Sequence, residues 1–183
     1  MKHRCFGGTD DNSLYAIYHD QEWGIPKFED TSLFEMLALE GMQAGLRWET
    51  ILKKRDNYRA AFHGFVIEKV ATMSDNDLDV LCNNPGIIRH RTKIFAIRHN
   101  AQIFLTIQNK YKSFKEYIWS YVNGDPIIGG WSRKEDVPTQ TPISQKISKD
   151  LKSKGMMFVG PTIIYAYAGH WYGQRSPRYL LEV

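Results

Sequence analysis

Four ring-bearing residues, Tyr15, Tyr18, Trp23 and Trp48, flank a stretch of sequence that carries one notable carboxylate, Glu40. Flat rings can sandwich a base turned out of the nucleic-acid stack, and a cationic base gains from both their π-faces and a nearby carboxylate. An aromatic core with a glutamate on a helix surface would use the same residue types. Glu40 weighs against that second reading. It follows Leu37 and Leu39 and precedes Met42, so it lies on or beside an apolar stripe, where a carboxylate needs a partner.

A second constellation is the run Asn84-Pro85-Gly86-Ile87-Ile88-Arg89 between two helical patterns. A short turn of this kind leaves backbone N–H groups at a helix N-terminus to face an anion, and basic residues beyond it attract phosphates. Gly86, Ile88, Arg89, Arg91 and Lys93 are the candidates for binding a DNA backbone in this way. A Pro-Gly turn between helices is equally at home as plain structure, so its neighbourhood matters. From Gly86 through Lys115 there is no Asp or Glu, while Arg89, Arg91, Lys93, Arg98, Lys110, Lys112 and Lys115 all fall there. Such segregation suggests a polyanion partner, against the alternative of a solvated basic helix. Cys5 and His19 form a third pair, both of zinc-ligand type, but two ligands do not close a tetrahedron.

Helices must position these groups, because helical periodicity dominates the chain and strand alternation is nearly absent. Ser32-Leu33-Phe34-Glu35 has capping-box form, which predicts a helix from about Ser32 to Gln43. Further helical pieces are expected over Trp48 to Arg55, Asn57 to Phe62 and Glu68 to Met73. Ser74-Asp75 reads as the N-cap of a helix from Asp77 to Cys82. Arg89 to Gln108, Phe114 to Val122, Pro142 or Ser144 to Lys152, and Thr162 to Ala168 complete the set, with Asn123 to Thr141 as the longest loop. The expected architecture is all-α: one domain over 1–167 and an atypical tail over 168–183.

Composition agrees with a core of this kind. Of 183 residues 43% are hydrophobic, and Lys plus Arg exceed Asp plus Glu by 24 to 20. A chain of this length buries about 70% of its unfolded surface, enough for a core that needs no staple. No leader-like apolar segment and no span of about 18 apolar residues is read in the sequence, so neither a secretory nor an integral-membrane protein is expected. Two cysteines far apart fit a reducing cytoplasm better than a disulfide framework.

The residues resemble a known family. Arg4-Cys5, Leu14-Tyr15-Ala16-Ile17-Tyr18-His19-Asp20-Gln21-Glu22-Trp23-Gly24, Leu39-Glu40-Gly41-Met42-Gln43-Ala44-Gly45-Leu46-Arg47-Trp48 and Gly86-Ile87-Ile88-Arg89-His90-Arg91-Thr92-Lys93-Ile94 are similar to motifs of 3-methyladenine DNA glycosylase I, and Phe158-Val159-Gly160-Pro161-Thr162 continues the match. The resemblance implies an all-α helix-hairpin-helix fold and a base-flipping DNA repair enzyme that hydrolyses the N-glycosidic bond of 3-methyladenine in double-stranded DNA. It implies catalytic roles for Glu40 and Tyr18. Glu40 would hydrogen-bond the base, Trp48 would stack on it, Tyr18 would line the pocket, and Tyr15 and Trp23 would shape its wall. Cys5 and His19 would be two of four ligands to a structural zinc. A monofunctional hydrolase acting as a monomer is expected, since His90 stands where lyase relatives carry a lysine. The alternative is a non-catalytic binder of alkylated DNA.

The match breaks after Tyr167. There the family expects Q-A-x-G-x-V-N-D-H-x-x-x-C, which supplies the other two zinc ligands, whereas residues 168–183 contain no cysteine. Back-translated with suitable third bases and read one nucleotide later, this tail spells the missing motif, which implies a frameshift. Zinc is therefore expected to be absent or weakly bound. Two smaller departures, Gly7 where the family has a tryptophan and Arg47 where it has a small polar residue, imply reduced excision if the guanidinium points inward.

Overall fold

The structure, a computed structural model, describes residues 10, 12–125 and 137–169. Every regular element among them is helical. Ten α-helices follow in order: α1 (Leu14–Gln21), α2 (Asp30–Gln43), α3 (Trp48–Leu52), α4 (Arg55–Ala61), α5 (Ile67–Ala71), α6 (Asp75–Leu81), α7 (Arg91–Tyr111), α8 (Phe114–Trp119), α9 (Pro142–Ser153) and α10 (Pro161–Ala168). Short 3-10 turns at His63–Phe65 and Ser120–Val122 follow α4 and α8. No described helix is long and apolar enough to cross a membrane.

The axis of the molecule is α2. Every residue from Leu33 to Met42 is buried, so this helix has no solvent face for most of its length. It packs against α3, α7, α8 and α10, while α5 lies along α7 and α9 along α10. The apolar stripe read from the sequence is thus a helix enclosed on all sides, and both Glu35 and Glu40 are carried inside with it.

Local chemistry explains most of the helix ends. Ser74 and Asp77 form a reciprocal capping box at the start of α6, and Thr141 with Ser144 does the same at α9, where Pro142 takes the first turn. The expected start of α2 at Ser32 is two residues late, for a tertiary reason. Asp30 belongs to the first turn and turns its carboxylate to the start of α8, accepting from the Phe114 N–H at 2.7 Å, the Lys115 N–H at 2.8 Å and Gln108 Nε2 at 2.7 Å. The helix expected over Trp48 to Arg55 breaks at Lys53 and Lys54, so that Arg55 opens a separate helix.

Candidate functional site

Three elements meet where the ring-bearing residues lie. Tyr18 near the end of α1 and Trp48 at the start of α3 pack with ring centroids 5.3 Å apart and planes tilted by 49°. Glu40, one turn before the end of α2, is 3% exposed. Tyr18 is equally buried, and burial first, then the charges of Glu40 and Glu22, push its hydroxyl well above the usual tyrosine range. Its proton therefore stays in place at neutral pH. The Tyr18 phenol thus lies close enough to the Glu40 carboxylate to feel its charge, and its ring packs against the Trp48 indole.

Tyr15 packs on the same core half-buried, and Trp23 stands at its edge. Trp23 stacks on His19 with centroids 5.7 Å apart, and a side chain at Gly169 would come within 3.1 Å of its indole nitrogen. The end of α10 thus closes against the Trp23 wall, fixed by a Gly24 N–H that donates to the Gly169 carbonyl at 2.9 Å.

Below this region lies an ion network that the sequence reading missed. Arg55 donates to Glu22 Oε1 at 2.6 Å and to Glu35 Oε1 at 2.7 Å, and Arg59 reaches the same Glu35 oxygen at 2.8 Å. Burial works against the charged form of Glu22, yet the Arg55 hydrogen bond and charge outweigh it and hold its pKa below the ordinary value. Because Glu22 adjoins Trp23, the network ties the pocket wall to α2 and α4. A signal was present: Arg55, Tyr58 and Phe62 fall at helical spacing, which sets Arg55 on the buried face.

The connection between α6 and α7 is held from beneath by the α3–α4 segment. Lys54 Nζ donates to the carbonyls of Pro85 at 3.0 Å and Gly86 at 3.2 Å, and Asn57 Nδ2 donates to the Gly86 carbonyl at 3.1 Å. The two amides expected to face an anion are occupied inside the protein. The Gly86 N–H donates to Asn84 Oδ1 at 2.8 Å and the Ile88 N–H to the Tyr58 hydroxyl at 3.1 Å. Burial raises that tyrosine to about 12, against the opposing effect of the Ile88 N–H. At the start of α7 the His90 N–H donates to the Ile88 carbonyl and the Lys93 N–H to His90 Nδ1, so Arg91 and Thr92 supply the remaining helix-end amides.

The five cations and amides singled out from the sequence therefore divide. Arg89 is exposed on the connection. Arg91 is exposed but pairs with Asp79 of α6, and Arg98 pairs with Asp75 at 2.6 Å, so the acid-free run along the chain meets acids in space. Lys93 is placed differently from the expectation of a phosphate contact. It is 7% exposed, with its ammonium on the carbonyls of Met42 and Ala44 at the end of α2. Spacing explains the inward turn, because Lys93, Ala96, Ile97 and Asn100 share the buried face of α7.

Arg47 is exposed at the N-cap of α3 and lends its charge to Glu49, so it does not intrude on the pocket. Of the expected metal ligands only His19 lies in the described residues, where its Nδ1 meets Asp20 Oδ1 at 2.9 Å. Cys5 and the tail from 170 onward lie outside them. No group of three His, Cys, Asp or Glu that could hold a metal ion occurs among the described residues.

Comparison with known proteins follows the same lines. Residues 8–170 match the methyladenine glycosylase family. The DNA-3-methyladenine glycosylase of Haemophilus influenzae is 46% identical over 157 residues, 86% of this chain and 85% of that one. DNA-3-methyladenine glycosylase 1 of Escherichia coli K12 is 46% identical over 164 residues, 90% and 87% of the two chains. The structure of 3-methyladenine DNA glycosylase I from Staphylococcus aureus superposes with a TM-score of 0.87 at 42% identity, covering 92% of this chain and 90% of that one. Likeness at this level runs through the helices that carry Tyr18, Glu40 and Trp48, and it decides descent: the chain belongs to the methyladenine glycosylase family.

Proposed function

We propose that this protein is a DNA repair glycosylase that removes 3-methyladenine from alkylated double-stranded DNA by hydrolysing the N-glycosidic bond. The observation that carries the reading is the burial of Glu40 beside the Tyr18–Trp48 ring pair. A buried carboxylate next to aromatic faces favours a positively charged base over a neutral one.

Methylation at N3 leaves the adenine of the nucleotide cationic. When the glycosidic bond breaks, its electron pair goes to the base, which departs neutral, and the sugar carbon takes the positive charge until water adds and releases a proton. Little proton donation to the base is needed, so recognition supplies most of the selectivity. In this scheme Glu40 accepts from the polar edge of the everted base, Trp48 stacks on it, and the Tyr18 hydroxyl keeps its proton and stays a neutral hydrogen-bonding wall. Tyr15 and Trp23 bound the rest of the pocket. Arg89, Arg91 and the first-turn amides of α7 meet the backbone phosphates in a helix-hairpin-helix manner.

The enzyme is taken to be monofunctional and monomeric. His90 caps α7, accepting the Lys93 N–H at 3.4 Å, and the Lys93 amine is held by carbonyls, which supports the lack of a nucleophilic amine at this junction. Free 3-methyladenine released from methylated duplex DNA, with no borohydride-trapped protein–DNA adduct, is the expected result. Saturable binding to that DNA without base release would favour the non-catalytic alternative. Zinc is expected well below one equivalent in the purified protein, because two of the family's ligands are missing from the tail; a stoichiometric zinc would overturn that part.

A further inference from the structure

We infer that Lys93 is a positioning residue that fixes the turn joining Glu40 to Trp48 and locks it to the DNA-facing connection before α7. The inference deepens the reading of the base pocket above and rests on it for its activity readout. Lys93 Nζ donates to the Met42 carbonyl at 2.9 Å and the Ala44 carbonyl at 2.5 Å. These are groups that a helix end leaves without intrahelical partners, and they sit at the negative pole of α2, where a cation is favoured.

The turn so held is short and consequential. Ala44 ends α2 and Gly45 takes a positive φ of 80°, the Leu46 N–H donates to the Gln43 carbonyl, and Trp48 begins α3. Glu40 lies one turn upstream. Any shift of the Ala44 carbonyl therefore moves the carboxylate and the stacking ring relative to each other. From the opposite side, Lys54, just after α3, grips the carbonyls of Pro85 and Gly86. Two ammonium struts thus run in opposite directions between the base seat and the connection that carries Arg89. Burial lowers the pKa of Lys93, yet its place is set by geometry: it borders a small cleft lined by Gly41, Ala96, Asn100 and Phe158, and its ammonium lies 5.9 Å from the Phe158 ring.

The test uses the full chain with Lys93→Met, which keeps the stem and removes the donors, and Lys93→Arg, whose extra bulk can enter the cleft. Expected for Lys93→Met is a single-turnover excision rate down by about 30- to 100-fold, the scale set by a misplacement of about 1 Å. DNA affinity and its salt slope stay within about twofold, and amide exchange of residues 43–48 quickens while α9 and α10 are unchanged. Lys93→Arg recovers most of the rate. A salt slope reduced by about one phosphate, with unchanged exchange in the turn, would make Lys93 a phosphate contact and overturn the inference. So would excision within about threefold of wild type. If Lys93→Met fails to fold, Lys93→Gln takes its place with the same criteria. Should the wild type release no base, the proposed function fails, and the exchange of residues 43–48 alone still decides the role of Lys93.

Discussion

The indole of Trp48 stands 5.3 Å from the ring of Tyr18, tilted by 49°, and this contact joins the first helix to the third across the end of α2, which carries the buried Glu40. Two aromatic faces and one carboxylate come from three helices separated in sequence, so their grouping depends on the packing of α1, α2 and α3.

Replacing Trp48 by alanine removes the stacking face. Base stacking on an aromatic side chain is worth about 1–3 kcal/mol, so 3-methyladenine excision falls about 5- to 150-fold while affinity for undamaged DNA changes little. Trp48 is 8% exposed, so the variant also loses thermal stability. Trp48→Phe, which keeps a ring, retains more activity than Trp48→Ala; equal losses would argue against stacking.

Arg89→Ala acts on the other partner. Arg89 is exposed and sits between the turn and the first turn of α7. Affinity for undamaged duplex DNA falls, and the slope of log affinity against log salt decreases by about one. Excision at saturating protein stays near wild type. A variant whose salt slope is unchanged would remove Arg89 from the phosphate face.

Gly86→Ala tests the geometry of the connection. A Cβ at this position would lie 3.0 Å from Asn84 Oδ1 and 3.1 Å from Asn57 Cγ. Relieving that contact displaces the side chain that accepts the Gly86 N–H or the one that donates to its carbonyl. DNA affinity therefore drops severalfold with little change in melting temperature, read by titration and thermal unfolding on the same sample.

Acid sensitivity has a local source far from the pocket. Asp150 accepts from the Tyr117 and Tyr121 hydroxyls, each at 2.5 Å, and from Lys154 Nζ at 2.6 Å. Burial alone would raise its pKa, but these three bonds outweigh burial and bring it down to about 2. The folded value lies below the unfolded value of about 3.9, so the contributed stability is fully present above about pH 4 and is lost as pH falls toward 2. Asp150→Asn should cost about 1–2 kcal/mol at pH 7. In urea unfolding the gap to wild type should narrow below about pH 4 and close only as pH falls through about 2, and a gap as large at pH 2.5 as at pH 7 would contradict this.

Much of this architecture was legible in the residues. Ser74-Asp75 announces α6, which starts two residues before the expected Asp77, and Pro142 marks the start of α9, because the determinants are local. Glu40 could be singled out because its neighbours Leu37, Leu39 and Met42 are apolar. What sequence could not show was pairing between distant segments. Asp30 begins α2 early because it also caps α8, and the acid-free basic run is met by Asp75 and Asp79 from the preceding helix. The grip of Lys54 on the Pro85 carbonyl spans 31 residues, and that of Lys93 on the Met42 carbonyl spans 51, so no local pattern predicts either. The tail beyond Gly169, with the frameshift it implies, lies outside the described residues, and the codons of the gene decide it.

If a buried anion selects a cationic, everted purine, that selection is lost with the charge. Glu40→Gln keeps the shape and removes the charge, and single-turnover excision of 3-methyladenine from methylated duplex DNA, with affinity for undamaged DNA measured on the same preparation, reads the loss. The prediction is an excision rate lowered by at least about 100-fold, or about 2.7 kcal/mol, at unchanged DNA affinity. Excision within about threefold of wild type would show that the carboxylate does not discriminate the base, and the account of the pocket would fall.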